Sequence, residues 1–135
     1  MSLDGILHLE IVEGSFTGDL FSDFIDGLLD VMTPFPGPNS VIIMDNCRVH
    51  KNPEILERIV ARGMLYDFLP PYSPDFNPIE SAFSAIKYHI RRHGSLAREA
   101  LTDDDTLEAK LFLTEAVYSV SAKDAAGWFR MCGYI

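Results

Sequence analysis

Between Leu20 and Met32 the apolar residues fall at Leu20, Phe21, Phe24, Ile25, Leu28, Leu29 and Met32, the spacing of a helix with one buried face. Thr17 stands where an N-cap belongs, and Asp19 adds a negative charge to the first turn. Asp19, Asp23, Asp26 and Asp30 occupy the remaining faces and read as solvated. TPFPGPN (33–39), with three prolines and a glycine, ends this helix. On either side the pattern changes period. GILHLEIVEG (5–14) alternates, with Ile6, His8 and Glu10 on one side and Leu7, Leu9 and Ile11 on the other, which predicts a strand led in by an Asp4-Gly5 turn. Ser40–Met44 is a continuous apolar run, β-branched at Val41, Ile42 and Ile43, which predicts a strand covered on both faces.

The same alternation of periods continues. Asn52-Pro53-Glu54 places an N-cap, a first-position proline and a first-turn acid in order. Ile55, Leu56, Ile59 and Val60 form the inward stripe, and Gly63 stops the helix. Met64–Leu69 is the next strand, closed by Pro70-Pro71. Asn77-Pro78-Ile79-Glu80 starts another helix, with Ile79, Phe83, Ile86 and Ile90 toward a core and Gly94 at its end. SLAREALTDDD (95–105) reads as a polar connector with a turn over Thr102–Asp105, followed by two helices with an aromatic end at Trp128, Phe129 and Tyr134. Three strands alternating with helices, followed by a helical C-terminal tail, predict an α/β layered domain.

At 135 residues the chain is long enough for one domain that buries about two thirds of its unfolded surface. No apolar run approaches the roughly 18 residues of a membrane span, and the acidic N-terminus does not resemble a signal peptide. Cys47 and Cys132 stand alone and read as free thiols. A net charge of −9 argues against DNA binding by bulk electrostatics. The distribution is uneven, however. Residues 1–45 hold eight acids and no Lys or Arg, residues 46–98 hold eight Lys/Arg against five acids, and residues 99–135 hold three against seven. If the chain meets nucleic acid, the charge distribution places that contact in the middle segment.

That segment also holds the candidate chemistry. Asp45 ends a strand where a loop begins, the position at which α/β sheets place their sites. Asp45-Asn46 is equally a turn opener. Thirty-four residues (46–79) separate Asp45 from Glu80, which is equally the acid of a capping box with Asn77. In a helix's first turn a carboxylate stays ionised, and ionised oxygens are what Mg²⁺ or Mn²⁺ require. Two such cations about 4 Å apart would serve phosphodiester cleavage and transfer. Glu80, Ser84, Lys87 and Arg91 share one helix face. With Arg92 nearby, Lys87 and Arg91 are candidate DNA-backbone contacts or, more plainly, a snorkelling surface. His50, His89 and His93 do not make a zinc pattern, because a third ligand is not evident.

VIIMDNCRVHKNPE and FLPPYSPDFNPIESAFSAIK together resemble the second and third catalytic blocks of the mariner-superfamily transposases. These are DDE endonucleases with a ribonuclease H-like domain. The strand–Asp–Asn, the His five residues after the Asp, the LPPYSPDFNPIE loop and the 34-residue interval carry the resemblance. It implies that Asp45 and Glu80 are metal ligands for Mg²⁺ or Mn²⁺, with Asn46, His50 and Asn77 in support. It implies transposon-end DNA as partner, and a nuclear place in a eukaryote or a cytoplasmic one otherwise. It also implies a first-strand aspartate upstream of the Asp4-Gly5 turn, which residues 1–135 do not include. The expectation is a partial ribonuclease H-like domain over 1–94, with a helical extension over 95–135. Such a chain would bind metal weakly, cleave poorly, and offer an unpaired sheet edge for a homo-oligomer or another partner. A non-catalytic DNA- or protein-interaction module is the other reading.

Overall fold

The computed structural model describes residues 1–95 and 106–135. Among them are five α-helices and two strands. In chain order these are α1 Gly18–Asp30, β1 Val41–Met44, α2 Pro53–Ala61, β2 Leu65–Phe68, α3 Pro78–Arg92, α4 Thr106–Tyr118 and α5 Ala122–Met131. Short 3-10 turns occupy Arg48–Lys51 and Pro74–Phe76. The chain divides into two compact units, Val12–Asn77, and Met1–Ile11 with Pro78–Ile135. No described helix is long and apolar enough to cross a membrane. The turn expected over Thr102–Asp105 lies outside the described residues.

Unit Val12–Asn77 is a β-α-β crossover packed on α1. Thr17 accepts the Leu20 N–H and so caps α1, as its position predicts. Phe21, Ile25 and Leu29 of α1 meet Ile55 and Ile59 of α2, Met44 of β1 and Met64 to form the core. β1 and β2 pair in parallel, with Val41 opposite Leu65 and Met44 opposite Phe68. Side chains alternate across a strand, so Ile42, Met44, Tyr66 and Phe68 turn to that core while Val41, Ile43, Leu65 and Asp67 take the other face. Val41 is 41% exposed and Ile43 40%. The expectation of a strand covered on both faces is therefore corrected: α1 and α2 lie on one face, and the β-branching that suggested double burial reflects strand propensity.

Two devices fix this unit. Gly63, just past α2, has φ +89, and a Cβ there would stand 3.1 Å from Pro34 Cβ, while its carbonyl accepts the Phe35 N–H at 2.8 Å. Left-handed backbone and close approach both call for glycine. Across α1 and α2, Arg58 Nη1 reaches Asp26 Oδ1 at 3.0 Å and Ser22 Oγ at 2.8 Å, and Arg62 Nη2 reaches Asp30 Oδ1 at 2.8 Å. Two of the four aspartates read as a solvated face are thus ion-paired. The pairs are half-exposed, worth about 0–1 kcal/mol each.

The strand expected over residues 5–14 does not form; the sheet of the described residues has two strands, not three. Ser2 and Gly5 make an isolated antiparallel bridge, with N–H to O distances of 2.8 and 3.1 Å. The tight turn is therefore centred on Leu3-Asp4, with Gly5 (φ +107) closing it. Residues 6–12 are all half-buried instead of alternately exposed. Leu9 and Ile11 line a pocket with Lys110, Thr114 and Tyr118 of α4. Alternation gives a strand only where a neighbour supplies the ladder, and a helix alongside does not. His8 and Glu10 do keep the two-residue spacing, with Nε2 to Oε1 3.5 Å.

In this second unit α3 packs against α4 and α5. Its buried residues are Pro78 and Ala82, with Ile79, Ile86 and Ile90 half-buried, while Phe83 is 49% exposed. The predicted stripe is thus displaced toward the smaller residue. Gly94 takes no left-handed conformation, and α3 already ends at Arg92. α5 opens on a capping box in which Ser121 and Asp124 exchange hydrogen bonds, and the Ser121 side chain and backbone hold the Asp124 carboxyl below its ordinary range. Phe129 and Tyr134 meet edge to face at 5.6 Å.

Candidate functional site

Asp45 follows Met44 directly, at the carboxyl end of β1, where the chain turns into the Arg48–Lys51 3-10 segment. Its Oδ1 accepts two donors, the Cys47 backbone N–H at 3.0 Å and His50 Nδ1 at 2.8 Å. A carboxylate only accepts, so the His50 proton in this contact sits on Nδ1. The His50 ring packs on Phe21 of α1 with centroids 4.9 Å apart and leaves 23% of its side chain exposed, against 57% for Asp45. The imidazole is thus clamped between core and carboxylate. The consequence for Asp45 is an asymmetry. Oδ1 is committed and Oδ2 has no protein partner among the described residues, so the group keeps one oxygen uncommitted.

Asn46 acts on the backbone beside it. Its Nδ2 donates to Leu69 O at 2.5 Å, while Leu69 N–H donates to Met44 O at 2.8 Å. Both contacts tie the end of β1 to the residue after β2. The turn-opener reading of Asp45-Asn46 is therefore correct as far as it goes, since Cys47 N–H closes an Asx turn on Asp45. It accounts for Oδ1 alone.

Asn77 has extended backbone (φ −111, ψ 102) and immediately precedes Pro78, the first residue of α3. Glu80 lies in the first turn of α3 with its side chain exposed. Ser84 Oγ donates back to Glu80 O at 3.1 Å, the local bond serine makes inside helices. Glu80, Ser84, Lys87 and Arg91 are all exposed, as their shared face predicts, and Arg92 is exposed beside them. His89 and His93 lie with ring centroids 4.4 Å apart, and His93 Nδ1 contacts His89 O at 2.9 Å.

Within unit Val12–Asn77 the structure brings Asp45, Asn46 and His50 together. Within the other unit it aligns Glu80 with Lys87 and Arg91. Among the described residues no group of three or more His, Cys, Asp or Glu side chains gathers around a common point. The donor chemistry fits a hard divalent cation all the same: ionised, accessible carboxylate oxygens are the ligands Mg²⁺ and Mn²⁺ take, and neither thiolate nor imidazole competes for Asp45 Oδ2. Arg48 and Lys51 are exposed on the 3-10 turn that follows the strand-ending carboxylate, within the locally basic segment.

A family profile described as DDE superfamily endonuclease matches residues 1–102, a span that contains both Asp45 and Glu80. Comparison with curated proteins finds no match.

Proposed function

This chain belongs to the DDE superfamily endonucleases, and we propose that Asp45 and Glu80 are two carboxylate ligands of a Mg²⁺- or Mn²⁺-dependent site for DNA cleavage and strand transfer of the mariner type. The family acts on DNA and typically uses divalent metals. The finer assignment rests on one observation above others: Asp45 is held by two donors on Oδ1 and keeps Oδ2 uncommitted, the arrangement of a preorganised monodentate ligand. A divalent pair, when bound, supplies an activated oxygen nucleophile and stabilises the leaving oxygen. The protein's own part is positional. His50 fixes the Asp45 rotamer, Asn46 fixes its backbone, and Asn77 with Pro78 sets the start of the helix that carries Glu80. Lys87, Arg91 and Arg92 meet DNA phosphates. In this reading the ribonuclease H-like part spans 1–94 and the helical extension 95–135.

Residues 1–135 supply two of the three carboxylates that such a site uses. The purified 135-residue polypeptide, incubated with Mn²⁺ and supercoiled plasmid, is accordingly expected to show no Asp45-dependent nicking. Nicking that disappears in Asp45→Ala would overturn that expectation.

A second reading, an interaction module that pairs at a sheet edge, is favoured by a difference between the two strands. Leu65 and Leu69 donate their N–H groups to Ser40 and Met44, so Val41 and Ile43 turn their backbone groups away from β2. On the outer edge of β2 the Phe68 N–H is capped by Asp67 Oδ1 at 2.8 Å. The outer edge of β1 carries exposed Val41 and Ile43 with no such guard among the described residues, the arrangement that invites strand addition. A second copy pairing there makes the chain a dimer by light scattering; a monomer at all concentrations excludes it.

A further inference from the structure

Unit Val12–Asn77 contains four Lys or Arg residues: Arg48, Lys51, Arg58 and Arg62. Two of them are spent inside the fold, Arg58 on Asp26 and Arg62 on Asp30. Arg48 and Lys51 are exposed, and among the described residues neither meets a carboxylate. They belong to the 3-10 turn Arg48–Lys51 that begins three residues after Asp45. Lys51 is not a loose surface chain. Its Nζ lies 5.5 Å from the centre of the Phe68 ring. Phe68 is the register partner of Met44, the residue before Asp45. The lysine is thereby held at the carboxyl end of the parallel pair, the end at which Asp45 stands. A cation over an aromatic face is attracted by the ring quadrupole and keeps its outer hydrogens for another acceptor.

We infer that Arg48 and Lys51 form a phosphate-contacting turn for the DNA strand at the Asp45 end of the sheet, in addition to the basic face of α3. Both cations are exposed and, among the described residues, unpaired with a carboxylate, so the turn that follows Asp45 offers two charges to an anion from outside the chain. Ten acids stand within the same unit, and two pair with arginines only a helix away. Phosphate fits by chemistry: a point-charge ammonium and a planar guanidinium are the two side chains that neutralise backbone oxygens. The inference names the strand contact of the proposed metal site and rests on that reading for its role in cleavage, but the contact itself needs no metal.

The test is therefore made without metal. A fluorescent DNA duplex is titrated with the 135-residue protein in EDTA across a fourfold range of salt. Each phosphate contact contributes about 0.9 to the slope of log K against log salt. Arg48→Ala/Lys51→Ala is expected to flatten that slope by about 1.8, so that salt weakens binding about tenfold less over the range. The exchanged pair Arg48→Lys/Lys51→Arg keeps both charges and is expected to keep the slope, which separates charge from fold. An alanine double variant with the wild-type slope would overturn the inference, as would a wild-type chain with no salt-dependent binding. Failure of the metal reading shows elsewhere, as Mn²⁺ binding that does not depend on Asp45.

Discussion

Asp45→Ala is expected to abolish saturable Mn²⁺ binding, followed by calorimetry or by the electron spin resonance of the free ion. The substitution removes a proposed ligand outright, and even partners one shell out typically cost 10–100-fold in affinity when removed. His50→Gln supplies the graded comparison. Glutamine loses the Nδ1–Oδ1 contact of 2.8 Å and the packing on Phe21 while leaving the carboxylate in place. Its affinity is expected to fall about tenfold, at the lower end of that range. Mn²⁺ binding unchanged in Asp45→Ala would remove the carboxylate from the proposed site altogether. Equal loss in both variants would instead mean that His50 holds the turn itself.

Ile59→Ala is expected to be the costliest single change to stability. Ile59 is fully buried where α2 meets α1, with Ile25, Leu29 and Ile55 around it at 1% exposure each. Truncation of such a residue costs about 2–5 kcal/mol, the spread depending on how far the cavity collapses. Domains of this size have only about 5–15 kcal/mol in total. Chemical denaturation of the two proteins gives the difference directly. A loss below about 1 kcal/mol, the range of Ile→Val changes, would mean that α1 and α2 close over the gap. Leu56, three residues earlier in the same helix and only half-buried, should cost less and serves as the internal comparison.

Residues whose role is decided locally were readable before any coordinates. Thr17, Asn52 and Gly63 announce helix ends through their own side chains or lack of one, and each does what its position predicts. The inward stripes of α1 and α2 follow because one apolar face of a short amphipathic helix has one place to go. What depends on a partner was not readable. GILHLEIVEG has the period of a strand, but a ladder is made by two segments, and Leu9 and Ile11 found α4 instead. VIIM reads as doubly buried because β-branching signals strand formation, and strand formation does not count the layers above it. The spacing of Ile79, Phe83, Ile86 and Ile90 predicts Phe83 inward, whereas Ala82 is the fully buried residue and Phe83 is 49% exposed.

The site divides along the same line. That Asp45 and Glu80 are carboxylates at a strand end and a helix start is written in the sequence, as is the resemblance of the blocks around them. That His50 returns to Asp45 is a contact across a 3-10 turn, which no periodicity encodes. The pairing of Arg58 and Arg62 with α1, which sets Arg48 and Lys51 apart from the other cations, depends on how α1 lies along α2. Charge counting sees four equal cations there; only the packing distinguishes two employed ones from two available ones.

The amide of Asn46 has a mechanical consequence. By donating to Leu69 O while Leu69 donates to Met44 O, it fastens the residue that follows β2 to the two residues flanking the strand end. Leu69 is also the root of the segment PPYSPDFN that runs on to Asn77. A displacement of that root is therefore transmitted to the backbone of Asp45 through two short bonds, with no intervening hinge. The carboxylate and the proline-rich loop are geared together, and a perturbation of Pro70 or Pro71 should register as a chemical-shift change at Asp45.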